Sequence, residues 1–510
     1  MLLVWLLADR GRGAGWNRQL LLVVGAAIFF RLLLVTHGAA GYVTPDGALS
    51  GIVADHVRKG VDHLVFVPHV PYSGSLKSHL TAAVALVMDT PRAFALVSVL
   101  FYALFVAAVF CLAQALGPPA SGAATAAGLY AAFAPAFVTR YSLSNDGNYV
   151  EVLALGSWAL VAAVSWARAS EGRARIALIM GLLLGAGFWC HILAAIHVAA
   201  VGVFVLAVDP RRALRALPPA AGGFALGYAP GILWNLSNGW ESLQYVVPGG
   251  EGLSVEGGLV QRLAQMVLDQ WPVLMGHDPG YPRAWNAVLL ALAWLAVAAA
   301  LWAVAATLLD APLRTSDPGR LLLFFSAINL AVALFALPIV PGNPRYLLFL
   351  MTPLAVFLAH ALAGRMRWMM AVLVAFGAVT SLAQAPGAFR ADARWREFVQ
   401  TLEQQGVRWC FTDFYQATKI NFLSEERLVC SAKLGPTTTE YFFEFRERVE
   451  KAPEAALVAV NASHAEKLER RLSRLGVSYE RLDLMKPVLL RLSRKVDPQE
   501  LFPEAEFPLR

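Results

Sequence analysis

The chain has 510 residues, of which 58% are hydrophobic and 15% are charged, and its formal net charge is +7. Soluble domains carry about 25% charged residues and are slightly under half apolar, so this composition excludes an ordinary soluble protein and indicates a polytopic membrane protein. The basic excess lies mostly in short arginine clusters between apolar runs. Because no basic stripe is interleaved with aromatic residues, we expect no nucleic-acid partner.

Charged residues are concentrated towards the C-terminus. Residues 391–510 carry 19 Lys or Arg and 19 Asp or Glu, whereas the first 390 residues carry 23 and 16. This shift predicts a transmembrane domain over residues 1–389 and a soluble domain over residues 390–510. The first apolar run, residues 1–7, is too short to span a membrane and has no basic residues before it, so we do not expect a cleaved signal peptide.

Eleven apolar runs approach or reach the length of about 20 residues that a transmembrane helix needs. They predict a polytopic α-helical membrane domain with spans at residues 20–36, 92–116, 121–138, 149–167, 176–190, 193–208, 219–235, 284–308, 321–338, 346–363 and 368–385.

Arginine placement sets the expected orientation, because short cytoplasmic loops are enriched in Lys and Arg. Counting the spans places one group of arginines on a single face: Arg10, Arg12, Arg18, Arg168, Arg173, Arg175, Arg211, Arg212, Arg215, Arg314, Arg320, Arg365 and Arg367. We therefore predict a plasma (inner) membrane protein with a cytoplasmic N-terminus. Two loops, 37–91 and 236–283, and the C-terminal domain are then extracytoplasmic.

The C-terminal domain alternates between two kinds of segment. Strand-like segments and helix-like segments follow one another in the order 407–412, 415–423, 427–430, 440–451, 456–460, 465–475 and 477–484. This alternation predicts a small α/β domain. No glycine-rich phosphate fingerprint follows any of these strands, so we expect no nucleotide cofactor.

Four cysteines fall into two pairs. Cys111 and Cys190 lie in predicted spans and are expected to pack in the membrane domain. Cys410 and Cys430 lie in consecutive predicted strands of the external domain. An oxidising compartment permits a disulfide between them, and two buried free thiols are equally compatible with the sequence.

A helix is predicted directly after the first span. Thr44 is a suitable N-cap and Pro45 is favoured at the first helical position. At 100° per residue Asp46 shares a face with Leu49 and the other apolar residues, whereas Asp55 lies about 180° away. We therefore expect Asp46 to point inward and Asp55 to point to water. An exposed carboxylate at a helix start is the alternative for Asp46, but a carboxylate on an apolar face is costly unless it is used or paired.

A multi-span chain with an Asp in its first external loop resembles the polytopic glycosyltransferases of the GT-C superfamily, specifically the bacterial family 39, protein-mannosyltransferase-like branch. Further stretches that resemble this family are PYSGSL at 71–76, DGNYVE at 146–151, GFWCH at 187–191, GYAPGILWN at 227–235, PRYL at 344–347 and the segment 412–426. The likeness covers most of the chain, and each motif is short.

The resemblance implies transfer of a sugar from a polyprenyl-phosphate donor to a lipid, glycan or protein acceptor on the extracytoplasmic face, by a hexosyl- or pentosyltransferase of cell-envelope glycans. It also implies that Asp46 acts as the base that takes the proton of an acceptor hydroxyl. This chain has Asp46-Gly47 where the family often has Asp-Glu. Any role that the Glu has in the family therefore has no corresponding residue here.

A donor phosphate needs cationic partners near the membrane surface. Arg345 lies where an external loop meets the tenth predicted span, so its guanidinium could bind a phosphate through two hydrogen bonds. The alternative is an arginine that reaches the lipid head groups. Lys77 and Arg31 are further candidates for the donor phosphate, on the same argument.

Four residues are candidates for the substrate cavity: Tyr72, Asp146, Glu151 and His191. Glu151 and His191 lie near the external ends of spans, where they could equally pair within the helix bundle. Histidines are numerous in the first loop, but their spacing is not a zinc pattern, and we expect neither a metal nor another cofactor.

Two other functions remain compatible with the sequence. A transporter would need broken helices in two matching halves and charges near the bilayer midplane, and no such repeat is visible. An O-antigen ligase or polymerase-like enzyme shares many spans and a large external loop.

Overall fold

The computed structural model describes residues 14–117, 122–144, 147–244, 257–278, 280–281, 283–434, 440–484 and 487–502. The chain forms two compact units. One consists of residues 1–36, 71–77 and 95–386 and is called the transmembrane unit. The other consists of residues 37–70, 78–94 and 387–510 and is called the C-terminal unit.

Helices make up most of the chain up to residue 404. They are α1 (Ala14–Tyr42), α2 (Pro45–Lys59), α3 (Leu76–Val84), α4 (Thr90–Leu116), α5 (Ala123–Ala132), α6 (Ala136–Ser144), α7 (Tyr149–Arg168), α8 (Arg173–Cys190), α9 (Ala195–Val208), α10 (Pro210–Gly227), α11 (Ala229–Ser237), α12 (Leu259–Gln265), α13 (Trp271–Leu274), α14 (Arg283–Leu309), α15 (Ala311–Thr315), α16 (Asp317–Phe335), α17 (Met351–Ala361) and α18 (Arg367–Gln404). A π-helical turn, Met266–Gln270, joins α12 to α13, and short 3₁₀ segments occur at Ile192–Ala194, Glu241–Leu243, Arg345–Leu350 and Gly364–Met366.

Seven helices in the described part of the chain are long and apolar enough to cross a membrane, and three shorter apolar helices accompany them. The multi-pass helical domain predicted from the sequence is therefore confirmed. Residues 176–208 do hold two closely spaced helices, which His191 separates by an extended backbone conformation. The predicted span 121–138 is instead two short helices, because Pro135 disfavours a helical conformation in the residue before it.

Helices α8 and α10 pack against each other at backbone distance. A Cβ atom added at Gly181 would lie 1.9 Å from the carbonyl oxygen of Ala220, and one added at Gly223 would lie 2.0 Å from that of Leu178. Small residues permit such close approach between membrane helices, where packing replaces the hydrophobic effect as the attraction.

A mixed five-stranded sheet forms the centre of the C-terminal unit. Its strands are β3 (Trp409–Phe411), β4 (Val429–Ser431), β5 (Ala456–Ala459), β6 (Tyr479–Asp483) and β7 (Val488–Leu492), and its helices are α19 (Phe414–Leu423), α20 (Phe443–Lys451), α21 (Ala462–Arg474) and α22 (Pro498–Leu501). The strand order is β4-β3-β5-β7-β6, with β3 parallel to both of its neighbours and β7 antiparallel to both of its own. The predicted α/β domain is confirmed, and β7 is an additional strand.

The two cysteines of this sheet form a disulfide. Cys410 and Cys430 are register partners on neighbouring parallel strands, with their Cα atoms 4.5 Å apart. Of the two alternatives that the sequence left open, the structure has the bonded one. Cys111 and Cys190 are buried free thiols.

Part of the first loop packs into the C-terminal unit. A small two-stranded sheet, β1 (Phe66–Val67) with β2 (Val70–Gly74), lies within this stretch of the chain. Helix α2 contributes Ile52 and Val53 to the same apolar core as Ile420 and Phe422 of α19. A Cβ atom at Gly51 would lie 2.2 Å from the Phe422 ring, so only glycine permits this contact. Residues 37–70 thus form a structural part of the C-terminal unit.

Candidate functional site

Strand β2 is tied to the ends of two membrane helices of the transmembrane unit. The side-chain amide of Asn148, the residue before α7, donates to Ser73 Oγ at 2.9 Å, to the Gly74 carbonyl at 2.6 Å and to the Cys190 carbonyl at 3.0 Å. Ser73 also forms a β-bridge with His191. These bonds bring Tyr72 next to the start of α7 and the end of α8, which are distant from it in the sequence.

Aromatic rings then collect around Tyr149, the first residue of α7. The ring centroid of Tyr149 lies 5.2 Å from that of His191, 5.8 Å from that of Tyr141 and 6.4 Å from that of Tyr346. Tyr72 meets His191 edge-on at 5.4 Å. The sequence-based candidates Tyr72 and His191 therefore lie in one cluster with three tyrosines.

Arg345 begins the 3₁₀ segment Arg345–Leu350 at this cluster. Its Nη2 donates to the Tyr346 hydroxyl at 3.0 Å, and its guanidinium carbon lies 4.9 Å from the centre of that ring. Its Nε is buried and has no hydrogen-bond partner within the described residues. This half-buried guanidinium is held by aromatic residues and keeps one donor unused, which is the arrangement expected of an anion-binding arginine.

His191 has a defined role for one ring nitrogen. Its Nδ1 accepts a hydrogen bond from the backbone N–H of Leu193 at 3.1 Å. An accepting Nδ1 carries no proton, so the proton of the neutral ring is on Nε2. The imidazole can therefore donate one hydrogen bond from Nε2.

Two further candidates form a buried ion pair. Lys77 Nζ lies 3.8 Å from Glu151 Oε1, and it donates to Ser98 Oγ at 2.5 Å. Lys77 is 1% exposed and Glu151 is fully buried. Charged side chains inside a membrane domain are costly without partners. Each residue of this pair provides the other with a partner of opposite charge.

Arg31 is also fully buried. Its Nε donates to Ser142 Oγ at 2.8 Å, its Nη1 donates to the Ala132 carbonyl at 2.7 Å, and its guanidinium stacks 3.5 Å above the Tyr102 ring. These contacts join α1 to α4, α5 and α6. A phosphate-binding role for Arg31 stays a prediction, and Asp146 lies outside the described residues.

The first-loop helix is capped as expected, with Thr44 Oγ accepting from the Gly47 N–H at 3.2 Å and Pro45 in the first turn. The predicted directions of the two carboxylates are wrong. Asp46 is exposed, whereas Asp55 is 2% exposed and lies 2.5 Å from both the Arg58 and the Lys59 side-chain nitrogens. The residues from Gly47 to His56 are all buried. Because the helix is buried on all sides, helical periodicity cannot tell which of its side chains point inward.

Sequence reasoning selected Tyr72 but not the other three tyrosines of the cluster, Tyr141, Tyr149 and Tyr346. Tyr149 and Tyr346 lie inside the quoted stretches 146–151 and 344–347 and could have been chosen from them. Tyr141 lies in no quoted stretch. Its hydroxyl donates to Asn343 Oδ1 at 3.0 Å, a contact that only the fold reveals.

Among the residues that the structure describes, no group of three or more His, Cys, Asp or Glu side chains is arranged to hold a metal ion.

No protein-family model and no curated protein sequence matches the chain. Solved structures do. ArnT from Cupriavidus metallidurans bound to undecaprenyl phosphate is similar with a TM-score of 0.62 at 10% identity, over 94% of this chain and 98% of ArnT. The apo form of ArnT gives 0.63 at 11% identity, over 93% and 97%.

A second solved structure is the Archaeoglobus fulgidus oligosaccharyltransferase tethered with an acceptor peptide containing the NVT sequon. It gives a TM-score of 0.50 at 12% identity, over 95% of this chain and 74% of that one. ArnT and this enzyme are both GT-C superfamily proteins. The protein therefore has the fold of the GT-C membrane glycosyltransferases, as its sequence resemblance implied.

Proposed function

We propose that this protein is an integral-membrane glycosyltransferase that moves a sugar from a polyprenyl-phosphate donor to an acceptor. The main support is Arg345, whose unused Nε donor lies in an aromatic cluster of a GT-C fold. The similarity to ArnT extends over 94% of this chain, and that structure contains undecaprenyl phosphate. The narrower assignments, to family 39 and to a hexosyl- or pentosyltransferase, rest on the sequence motifs.

In this proposal Arg345 binds the donor phosphate. A guanidinium can direct two parallel N–H groups at phosphate oxygens, and Arg345 keeps its Nε for this purpose while Nη2 is held by Tyr346. The Nε2–H of His191 and the hydroxyls of Tyr149 and Tyr346 supply further donors around the same place. Lys77 contributes positive charge that Glu151 partly balances.

Asp46 is the proposed base. Its carboxylate takes the proton of the acceptor hydroxyl while the acceptor oxygen bonds to the anomeric carbon, and the bond from that carbon to the phosphate oxygen breaks. The lipid phosphate leaves with the bonding electron pair. Asp46 is exposed in the first turn of α2, where a helix N-terminus stabilises negative charge.

The orientation belongs to the same proposal. The arginine distribution predicts that the C-terminal unit lies outside the plasma (inner) membrane, and the disulfide between Cys410 and Cys430 supports this prediction because structural disulfides persist in oxidising compartments. The acceptor is then a lipid, glycan or protein on the extracytoplasmic face.

Titration of a polyprenyl-phosphate sugar against purified variants tests the proposal. A charge-assisted hydrogen bond contributes roughly 1.5–3 kcal/mol, so Arg345→Ala should weaken donor binding about ten- to a hundredfold. Arg345→Lys keeps the charge and loses the fork, so its affinity should lie between the two. Arg314→Ala, an exposed arginine outside the cluster, is the matched control. Equal affinity in all four proteins would leave Arg345 without a donor role.

A further inference from the structure

A cavity of about 820 Å³ lies in the transmembrane unit and shares no lining residue with the site around Arg345. Four helix ends form it. They are Gln19 near the start of α1, residues 122–133, which include α5, residues 359–364 at the end of α17, and residues 367–378 at the start of α18.

The lining of this cavity is polar at one end and apolar along its depth. Gln19, Thr125 and Arg367 all lie near the starts of their helices, while Phe133 and Ala378 lie further along the same elements. A cavity with this order of residues matches a molecule that has a polar head and an apolar chain.

Two polar groups at the head end are unused. The hydroxyl of Thr125 is buried and has no hydrogen-bond partner in the described ranges. The side chain of Arg367 is exposed and makes no ion pair or hydrogen bond with any described residue, whereas its backbone N–H donates to the Gly364 carbonyl. The described lining contains no Asp or Glu, so the head end offers a hydroxyl and an uncompensated positive charge. An anionic head group complements both.

The head end lies on the side that the arginine distribution assigns to the cytoplasm. The site around Arg345 and Tyr149 lies at the opposite predicted side of the membrane. A donor whose phosphate is bound at Arg345 would therefore not have that phosphate in this cavity. Because basic residues at the cytoplasmic surface attract anionic lipids, the ligand that fits best is a lipid of that leaflet.

We propose that this cavity binds an anionic glycerophospholipid, with the phosphate at Arg367 and Thr125 and one acyl chain between α5 and α18. Ala371 and Ala375 of α18 line the cavity and are exposed, which leaves room for the chain beside them. The lipid would fill space that the protein side chains leave open and would join four helix ends.

Native mass spectrometry of the full-length protein, equilibrated with equal amounts of phosphatidylglycerol and phosphatidylcholine, tests the site. The wild-type protein should retain more phosphatidylglycerol. Arg367→Gln should lower that preference roughly fivefold, the effect of one basic residue near a lipid surface. Arg211→Gln, an exposed arginine of the same predicted side that does not line the cavity, should not change it.

Filling the cavity provides an independent variant. Ala371→Trp should lower the retention of both lipids, whereas Val372→Trp, the next residue and 51% exposed outside the lining, should not. Equal retention of the two lipids by the wild-type protein, or equal effects of Arg367→Gln and Arg211→Gln, would overturn the proposal. Displacement of phosphatidylglycerol by undecaprenyl phosphate, with the same dependence on Arg367 and Ala371, would also overturn it, because the site would then belong to the carrier lipid.

Discussion

Asp46 and Asp55 lie on the same short helix, α2, and we expect substitution of the first to affect activity and substitution of the second to affect stability. Asp46 is exposed in the first turn of α2, and its proposed role is to accept a proton. Asp46→Asn keeps the size of the side chain and removes the base, so transfer should be abolished while insertion and folding are retained. An assay with donor and acceptor, together with the thermal unfolding midpoint, measures both quantities. Substantial turnover by a well-folded variant would remove Asp46 from the mechanism.

Asp55→Asn should have the opposite result. The carboxylate is buried against Arg58 and Lys59, and it accepts from Thr90 Oγ at 3.3 Å. Losing charge-assisted hydrogen bonds of this kind should destabilise the protein by about 1–3 kcal/mol. Turnover per folded molecule should remain near the wild-type value. An unchanged unfolding midpoint would show that the bonds from Arg58, Lys59 and Thr90 to this carboxylate do not stabilise the fold.

These two residues also show what the sequence can predict at this scale. The N-cap Thr44 and the proline beside it follow from local backbone chemistry, and both predictions are confirmed. The directions of Asp46 and Asp55 depend on which neighbours surround the helix. Those neighbours include Phe422, which is more than 350 residues away in the sequence, so helical periodicity alone could not supply them.

At the scale of elements, Glu426 connects three segments of the C-terminal unit. It lies just after α19 and contacts His56 Nε2 at 3.0 Å and Lys59 Nζ at 3.5 Å on α2, and Arg448 Nη1 at 2.8 Å on α20. Burial raises the pKa of Glu426, but the hydrogen bonds and positive charges of these three residues outweigh it and lower the pKa to about 2.

The stability of the protein should therefore fall in acid. A carboxyl whose pKa is lower in the folded state stabilises the fold above its unfolded value and loses this contribution as the pH falls through the folded value. The window here runs from pH 4.5, the ordinary value, down to about 2. At neutral pH Glu426→Gln should cost about 2–3 kcal/mol, and the difference should shrink across that window.

Thermal unfolding midpoints measured from pH 7 to pH 2.5 check this prediction. Glu447→Gln is the control, because Glu447 is exposed and pairs across its own helix with the exposed Lys451, and a surface pair of this kind should have little effect. A Glu426→Gln curve that runs parallel to the wild-type curve at every pH would contradict the assignment.

Elements themselves were predicted unevenly. Long apolar runs such as 284–308 gave helices close to the observed Arg283–Leu309, because length and hydropathy are local properties. Strand β7 was missed, since a five-residue segment such as Val488–Leu492, apolar except for Arg491, cannot be told from a short helix by periodicity. Its place beside β5 is fixed by pairing with residues about 30 positions away.

At the scale of the whole molecule, the predicted orientation can be measured directly. Single cysteines at Ser170, Arg211 and Gln400, all exposed positions, can be treated with an impermeant thiol reagent in intact cells. We expect labelling at position 400 and none at 170 or 211. The reverse pattern would invert the topology and place Asp46 on the cytoplasmic side.

The general class of the molecule followed from its sequence, whereas the composition of its units did not. Hydropathy predicted the multi-pass domain, and several weak motifs together indicated the GT-C fold. The grouping of residues 37–70 and 78–94 with residues 387–510 has no sequence signature, because it depends on surface complementarity between distant segments. The same holds for the contact of Arg345 with its aromatic neighbours.

That grouping has a consequence for biosynthesis. Helix α2 is made early, yet most of the residues that share its core lie beyond residue 387. At about 5–20 residues per second, the ribosome needs roughly 16–66 s to make the chain of more than 300 residues between Lys59 and Gly387. During this interval α2 has only the early part of that core, such as Val67 and Phe94, to pack against. In the proposed orientation it is then on the extracytoplasmic side of the membrane while the remaining spans insert. A chain that stops near residue 386 would keep its membrane helices and, in the proposed orientation, would present that incomplete core to the folding factors and proteases of the cell envelope.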